Sequence, residues 1–243
     1  MAKHRIDIRG TIIPNDYKRV YDWYGFDSTC PRDVSTVLDR MMDGDEVYVY
    51  INSPGGHIEP GSEIYTLLRQ KSLTNPVNIC ITGSAHSAAS IIACAGYCTM
   101  SPTALMMVHC VSSYAWGNHT DMEHMAEVLG TADKALCTAY MAKAGMTEKE
   151  ALDMMEHETW LTAEQAKERG LVDEIIFEDK AEPLQMVAAY GSFGILTQEQ
   201  IERAEAMMGN PEKPAPADNA IELLQTKLNL MKRIPARRME PCR

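Results

Sequence analysis

The seven cysteines of this chain are odd in number and none forms a CxxC pair, so neither a disulfide framework nor a zinc ribbon is expected. Cys94 and Cys98, four residues apart in a small-residue segment, read instead as buried thiols acting as small hydrophobes in a reducing cytosol. Histidine and cysteine spacings do not converge as metal ligands do, and no metal or other cofactor is expected. No apolar run approaches the roughly 20 residues that a membrane span needs. The basic residues near the N-terminus, Lys3, His4 and Arg5, are not followed by the long apolar stretch of a secretory signal. Membrane association is therefore not expected, and a cytoplasmic location is. No internal repeat is evident. Positive charge is also short: the formal net charge is −11, which argues against general binding to a phosphate backbone. Lys227, Lys232, Arg233, Arg237, Arg238 and Arg243 crowd the C-terminus, where a solvated tail is the plainer reading.

What is present suits a globular fold. A hydrophobic fraction of 45% and a charged fraction of 23% over 243 residues allow one sizeable core and a small appendage. Residues 6–13 alternate apolar and polar as a strand does, and 17–29 is aromatic and irregular. A helix is predicted from Pro31 to Met42, with Val34, Val37, Leu38 and Met41 on one face. The β-rich run 47–51 ends at Asn52-Ser53-Pro54-Gly55-Gly56. A second amphipathic helix carries Ile64, Leu67 and Leu68, and a strand spans 77–82. From Gly83 to Gly96 nearly every residue is small or aliphatic, which predicts a helix buried on most sides. Residues 105–109 form a short strand, and a long amphipathic helix carries Met122, Met125, Leu129, Ala132, Leu136 and Tyr140. Thr147 to Glu150 and Thr162 to Gln165 have the capping-box pattern, and Gly170 is a natural helix stop. This alternation predicts an α/β domain over 1–180. Residues 181–243 read as an appendage of two helices around the proline-rich linker 211–216.

Several residues could carry chemistry. Ser87 follows a strand and opens the small-residue segment, where unpaired helix N–H groups would favour a developing negative charge. The G-x-S-x-G elbow of α/β-hydrolases is absent, and a serine at a helix start is most often a cap. His109 ends an apolar strand, as a satisfied core histidine or as a base. Gly55 and Gly56 form either an ordinary turn or a place where backbone N–H groups can approach a ligand closely.

Taken together, these segments resemble the Clp protease proteolytic subunit family, ClpP. Tyr50-Ile-Asn-Ser-Pro-Gly-Gly56 matches that family's Y-I-N-S-P-G-G, and Gly83-Ser-Ala-His-Ser87 resembles its G-x-A-x-S nucleophile motif. Ala95-Gly96, Met107-Val-His109, Trp160 to Ala166 and Gly170 to Ile175 follow in the family's order, so the resemblance covers about residues 4–178. It implies a ClpP/crotonase-like fold of repeated β-β-α units with a long handle helix, and the C-terminal helical appendage lies beyond it. It further implies a serine endopeptidase with Ser87 as nucleophile, His109 as base, and the N–H groups of Gly56 and Ala88 as the oxyanion hole. Glu158 stands where the family has the third triad residue, an aspartate. His57 and Ile58 would pair with an extended peptide as an added strand.

Implied partners are polypeptide substrates, further copies of the chain in a ring, and a Clp-type ATPase. Little chain precedes the first strand, so ATP-independent cleavage is the expectation. Cys110-Val111 replaces the family's Q-P after the base, and Ser112-Ser113 its glycine-rich turn. His86 beside the nucleophile is not expected to serve as base. The short N-terminus, the glutamate before Thr159-Trp160-Leu161 and the C-terminal appendage resemble the ClpP-related head-maturation proteases of tailed phages, whose substrates would be capsid or scaffold proteins. Two other classes stay open: a crotonase-like acyl-CoA enzyme, set apart by acidic catalysts in place of a serine-histidine pair, and a structural ring protein with a decayed site.

Overall fold

The computed structural model describes residues 1–177. In chain order the elements are β1 (Lys3–Ile12), a 3-10 turn (Asn15–Tyr17), α1 (Lys18–Tyr24), β2 (Ser28–Thr29), α2 (Pro31–Leu38), β3 (Glu46–Gly56) and α3 (Ile58–Lys71). They continue with β4 (Val77–His86), α4 (Ala88–Ala93), β5 (Tyr97–Met100), β6 (Leu105–Val108), α5 (His119–Ala144), α6 (Glu148–Glu156), β7 (Thr159–Leu161), α7 (Ala163–Glu168) and β8 (Glu174–Ile175). The proposed appendage, 181–243, lies outside the described residues.

Alternation builds the main sheet. Ile6 and Ile8 of β1, Val47, Val49 and Ile51 of β3, and Val77, Ile79 and Ile81 of β4 all point to one face and are buried. Each such side chain removed from water contributes on the order of 1.5–3 kcal/mol. Val34 and Leu38 of α2 and Ile64 and Leu68 of α3 join the same core. On the opposite face the Arg5 guanidinium lies 4.5 Å from the Tyr50 ring centroid. The sheet runs β2-β1-β3-β4-β5-β8, all parallel, as helical crossovers on one side require. The first half of β4 pairs with β5, while Ser84, Ala85 and His86 pair with Leu105, Met106 and Met107 of β6. β7 then adds to β6 antiparallel.

Three sequence expectations are corrected. The 17–29 segment, expected to be irregular, forms α1 and β2. Gly25 closes α1 in the left-handed conformation at φ 71°, and β2 pairs with the end of β1. The segment after Ile51 does not leave the sheet as a turn: Gly55 and Gly56 stay paired with Thr11 and Ile12 across a register shift at Gly10. The predicted helix from Gly83 is strand through His86, because β6 offers this part of β4 a second partner. Helix begins only at Ala88.

The long helix α5 is anchored at its end. Lys143 Nζ donates to the Gly96 carbonyl at 2.9 Å and pairs with Asp173, whose carboxylate accepts the Cys98 N–H at 2.6 Å. Both capping boxes form: Thr147 accepts from the Glu150 N–H at 3.3 Å and Thr162 from the Gln165 N–H at 3.3 Å. Among the described residues no helix is long and apolar enough to cross a membrane.

Just before β3, the buried Asp45 carboxylate accepts the Ala2 N–H at 2.7 Å and the Met42 N–H at 3.1 Å and lies 3.0 Å from His4 Nε2. These donors, the Ala2 N–H foremost, hold its pKa well below the ordinary 3.8. A depressed carboxylate stabilises the fold fully above its unfolded value, and that contribution is lost as pH falls through the folded one. Denaturant titrations from pH 7 down to pH 2 should therefore show Asp45→Asn less stable at neutral pH, with a shallower loss on acidification than the parent; parallel curves would refute the assignment.

Candidate active site

Ser87 stands where β4 ends and α4 begins, at φ 54° and ψ −126°. A non-glycine residue in this region costs about 1–3 kcal/mol and persists only where its surroundings over-determine it. Here they do. Its N–H donates to the Met107 carbonyl at 2.9 Å, its own carbonyl is held from within α4, and the end of β3 presses on it from one side. A methyl group at Gly55 would lie 2.7 Å from Ser87 Cβ and 2.6 Å from the His86 carbonyl oxygen. Gly55, at φ 94°, is thus required by close backbone approach as well as by its own conformation. At Gly56 a Cβ would meet the Ile12 carbonyl oxygen at 2.1 Å.

The rest of the Asn-Ser-Pro-Gly-Gly segment braces this contact. Ser53 Oγ donates to the Gly10 carbonyl at 2.6 Å and accepts the Gly55 N–H at 3.1 Å. Asn52 Oδ1 accepts both the N–H and the hydroxyl of Ser84, each at 3.1 Å, in a space that a Cβ at Gly83 would occupy. Sequence reasoning passed over Asn52 and Ser53 as individuals, although both lie inside the motif it quoted.

His109 directly follows β6, and its Nε2 lies 2.8 Å from Ser87 Oγ, a hydrogen-bond distance. The backbone after it is pinned by Cys110 N–H to Met155 O at 3.1 Å and by Val111 N–H to Asp133 Oδ1 at 2.7 Å. Burial, with Asp133 beside it, pushes the neighbouring Cys110 thiol up to about 11. A competing thiolate therefore does not form next to His109 at neutral pH. The His86 ring is engaged elsewhere: it meets the Trp160 indole edge-on at 4.9 Å, and burial lowers its pKa, which favours the neutral form. Ala88 supplies the first N–H of α4, which by position has no intrahelical acceptor.

Three predicted site residues, Glu158, His57 and Ile58, differ from their expected geometry. β6 pairs with β7 so that Val108 faces Thr159, and continuing the register sets Glu158 across from His109. The exposed Glu158 carboxylate, however, accepts the Trp160 indole N–H at 3.2 Å, and among the described residues no hydrogen bond joins it to His109. Its backbone is left-handed, at φ 45°, with its N–H donated to Met155 O at 3.1 Å. His57 and Ile58 do not offer an extended edge. The His57 N–H is taken by Ile12 O at 2.9 Å, and Ile58 already opens α3. Among the described residues no cluster of His, Cys, Asp or Glu could hold a metal ion.

The family model described as Clp protease matches residues 34–179. This chain belongs to the Clp protease family. ATP-dependent Clp protease proteolytic subunit 1 of Chlamydia abortus is 31% identical to it over 146 residues, which cover 58% of this chain and 74% of that protein. A ClpP1 mutant from Listeria monocytogenes has the same fold, with a TM-score of 0.57 at 21% identity, over 71% of this chain and 91% of the other. The ClpP-type α/β fold read from the motifs is thus the fold of this Clp protease.

The Gly55 contact can be separated from ordinary backbone strain. Gly145 has a similar positive φ of 68° but open space where a methyl group would stand, so Gly145→Ala should cost only about 1–2 kcal/mol in denaturant titrations. Gly55→Ala must in addition displace the Ser87 backbone, and should cost about 3 kcal/mol or more. Equal costs would show that Gly55 does not support Ser87.

Proposed function

We propose that this Clp protease is a serine endopeptidase in which Ser87 attacks the scissile carbonyl and His109 accepts its proton. The observation that carries the reading is the 2.8 Å contact from Ser87 Oγ to His109 Nε2, on a serine held at φ 54°. An Oγ–H donating to Nε2 leaves the second imidazole proton on Nδ1. As the carbon–oxygen bond forms, the serine proton passes to Nε2 and the carbonyl oxygen becomes an oxyanion, for which the Gly56 and Ala88 N–H groups are the proposed donors. Collapse expels the amine, which takes the proton from His109. Water then repeats the sequence on the acyl-enzyme. Glu158, set opposite His109 by the β6–β7 register, is the proposed orienting acid, reached by a side-chain rotation that gives up the Trp160 indole. Its present engagement also favours a second reading, a serine-histidine dyad.

The same proposal covers partners and setting. Met122 and Val128 of α5 are 38% and 45% exposed, and further copies of the chain in a ring are their proposed cover. Polypeptides are the proposed substrates, cleaved in the cytoplasm. The words ATP-dependent in the relative's name suggest a Clp-type ATPase as another partner. The glutamate before Thr159-Trp160-Leu161 supports a narrower role in phage head maturation, with capsid or scaffold proteins as substrates. Against an acyl-CoA enzyme stands the serine-histidine contact, which such chemistry does not use.

A serine-directed fluorophosphonate, followed by peptide mapping, should label Ser87 and leave Ser84 and Ser90 unmodified; Ser87→Ala should abolish both labelling and peptide hydrolysis. Labelling that persisted in this variant would refute the nucleophile. Glu158→Gln should lower kcat about a hundredfold while the protein stays folded, within the range that loss of a triad carboxylate produces. Activity near that of the parent would leave the dyad.

A further inference from the structure

The Ser87–Ala88 peptide unit is held from behind by groups that no part of the mechanism above uses. Its carbonyl oxygen accepts two bonds from Ser90, the backbone N–H at 2.9 Å and the hydroxyl at 2.6 Å. Ser90 is fully buried, and its Oγ lies 2.7 Å from the hydroxyl of Tyr140 on α5, which is 1% exposed. A serine hydroxyl carries one proton, here given to the Ser87 carbonyl, so the Tyr140 hydroxyl must donate to Ser90. Burial raises the Tyr140 pKa far above neutrality and keeps that proton in place.

A hydroxyl bonded to a carbonyl one turn back, or a buried phenol with a partner, is commonplace on its own. What distinguishes this pair is the carbonyl it holds. Among the described residues no peptide bond is cis. In a trans peptide the C=O and N–H lie in one rigid plane and point in opposite directions. Gripping the Ser87 oxygen from the core therefore aims the Ala88 N–H the other way, out of α4 and toward the side where the oxyanion would form. α3 closes on the same unit from another direction, since a Cβ at Gly61 would sit 2.9 Å from Ala88 Cβ.

We propose that Ser90 and Tyr140 are positioning residues for the oxyanion site: the relay Tyr140 O–H to Ser90 O–H to Ser87 C=O fixes the plane of the peptide whose N–H receives the developing charge. The relay also polarises that peptide, since hydrogen bonds in a chain strengthen one another. This inference rests on the reading of Ser87 as nucleophile.

The test measures the rate of fluorophosphonate labelling at Ser87, with the pH–rate profile and thermal midpoint, in Ser90→Ala, Tyr140→Phe and the double variant. Ser90→Ala strands a buried phenol and is the variant most apt to unfold; the double variant removes both hydroxyls and avoids that penalty. Ser90→Ala should slow labelling about tenfold or more, short of the loss from deleting an oxyanion donor outright, which is roughly hundredfold or greater. Tyr140→Phe should give a smaller loss. The double variant should match Ser90→Ala, because tyrosine acts only through serine, and every profile should keep the parent's midpoint because His109 is untouched. Labelling within twofold of the parent in a folded double variant would overturn the proposal while Ser87 stays the nucleophile. Losses that added independently, or a displaced pH midpoint, would mean general damage to the site and would overturn it as well. If the parent protein itself is not labelled at Ser87, the nucleophile reading fails first.

Discussion

The site depends on β4 changing partners. Its first half pairs with β5, while its last three residues pair with β6, so one edge of a single strand serves two neighbours. The second pairing does more than extend the sheet. It places the Ser87 N–H on the Met107 carbonyl, two residues before His109, and so sets the Ser87 hydroxyl and the His109 imidazole at hydrogen-bond distance through backbone geometry. Parallel pairing gives no freedom to slip by one residue, because a slip would take Ala85 and Met106 off the face that packs into the core.

The contact between β3 and β4 supplies the second constraint. Gly55, braced by Ser53, brings the end of β3 against the end of β4 more closely than any side chain permits, while Gly56 does the same against Ile12 of β1. Strain in Ser87 is offset by packing around it, so its hydroxyl projects from a junction that cannot relax. The buried thiols nearby are passive: burial pushes Cys94 up to about 12, leaving it a protonated, space-filling group.

Helix α5 links these local features to the rest of the chain. Lys143 ties its C-terminal end to Gly96 and Asp173, and one turn earlier Tyr140 reaches Ser90 inside α4. A helix that projects exposed apolar residues near its start is thus rooted, at its other end, three residues from Ser87.

Much of this was legible from residues alone. Period-two alternation marked β1, β-rich runs marked β3 and the first part of β4, amphipathic spacing marked α2, α3 and α5, and Thr147 and Thr162 announced their helices through capping boxes. These are short-range signals, set by the direction of side chains within one element. The pairing of Ser87 with His109 was readable only through ordered motifs, since neither residue stands out by itself. Tertiary structure decided the rest. That β4 runs on to His86, that 17–29 holds a helix and an edge strand, that Gly55 wedges against Ser87, that Ser90 and Tyr140 grip its carbonyl, and that the Glu158 carboxylate takes the Trp160 indole all depend on backbone groups distant in sequence. A local pattern states which way a side chain points within its own element, but not which carbonyl or ring another element will set before it.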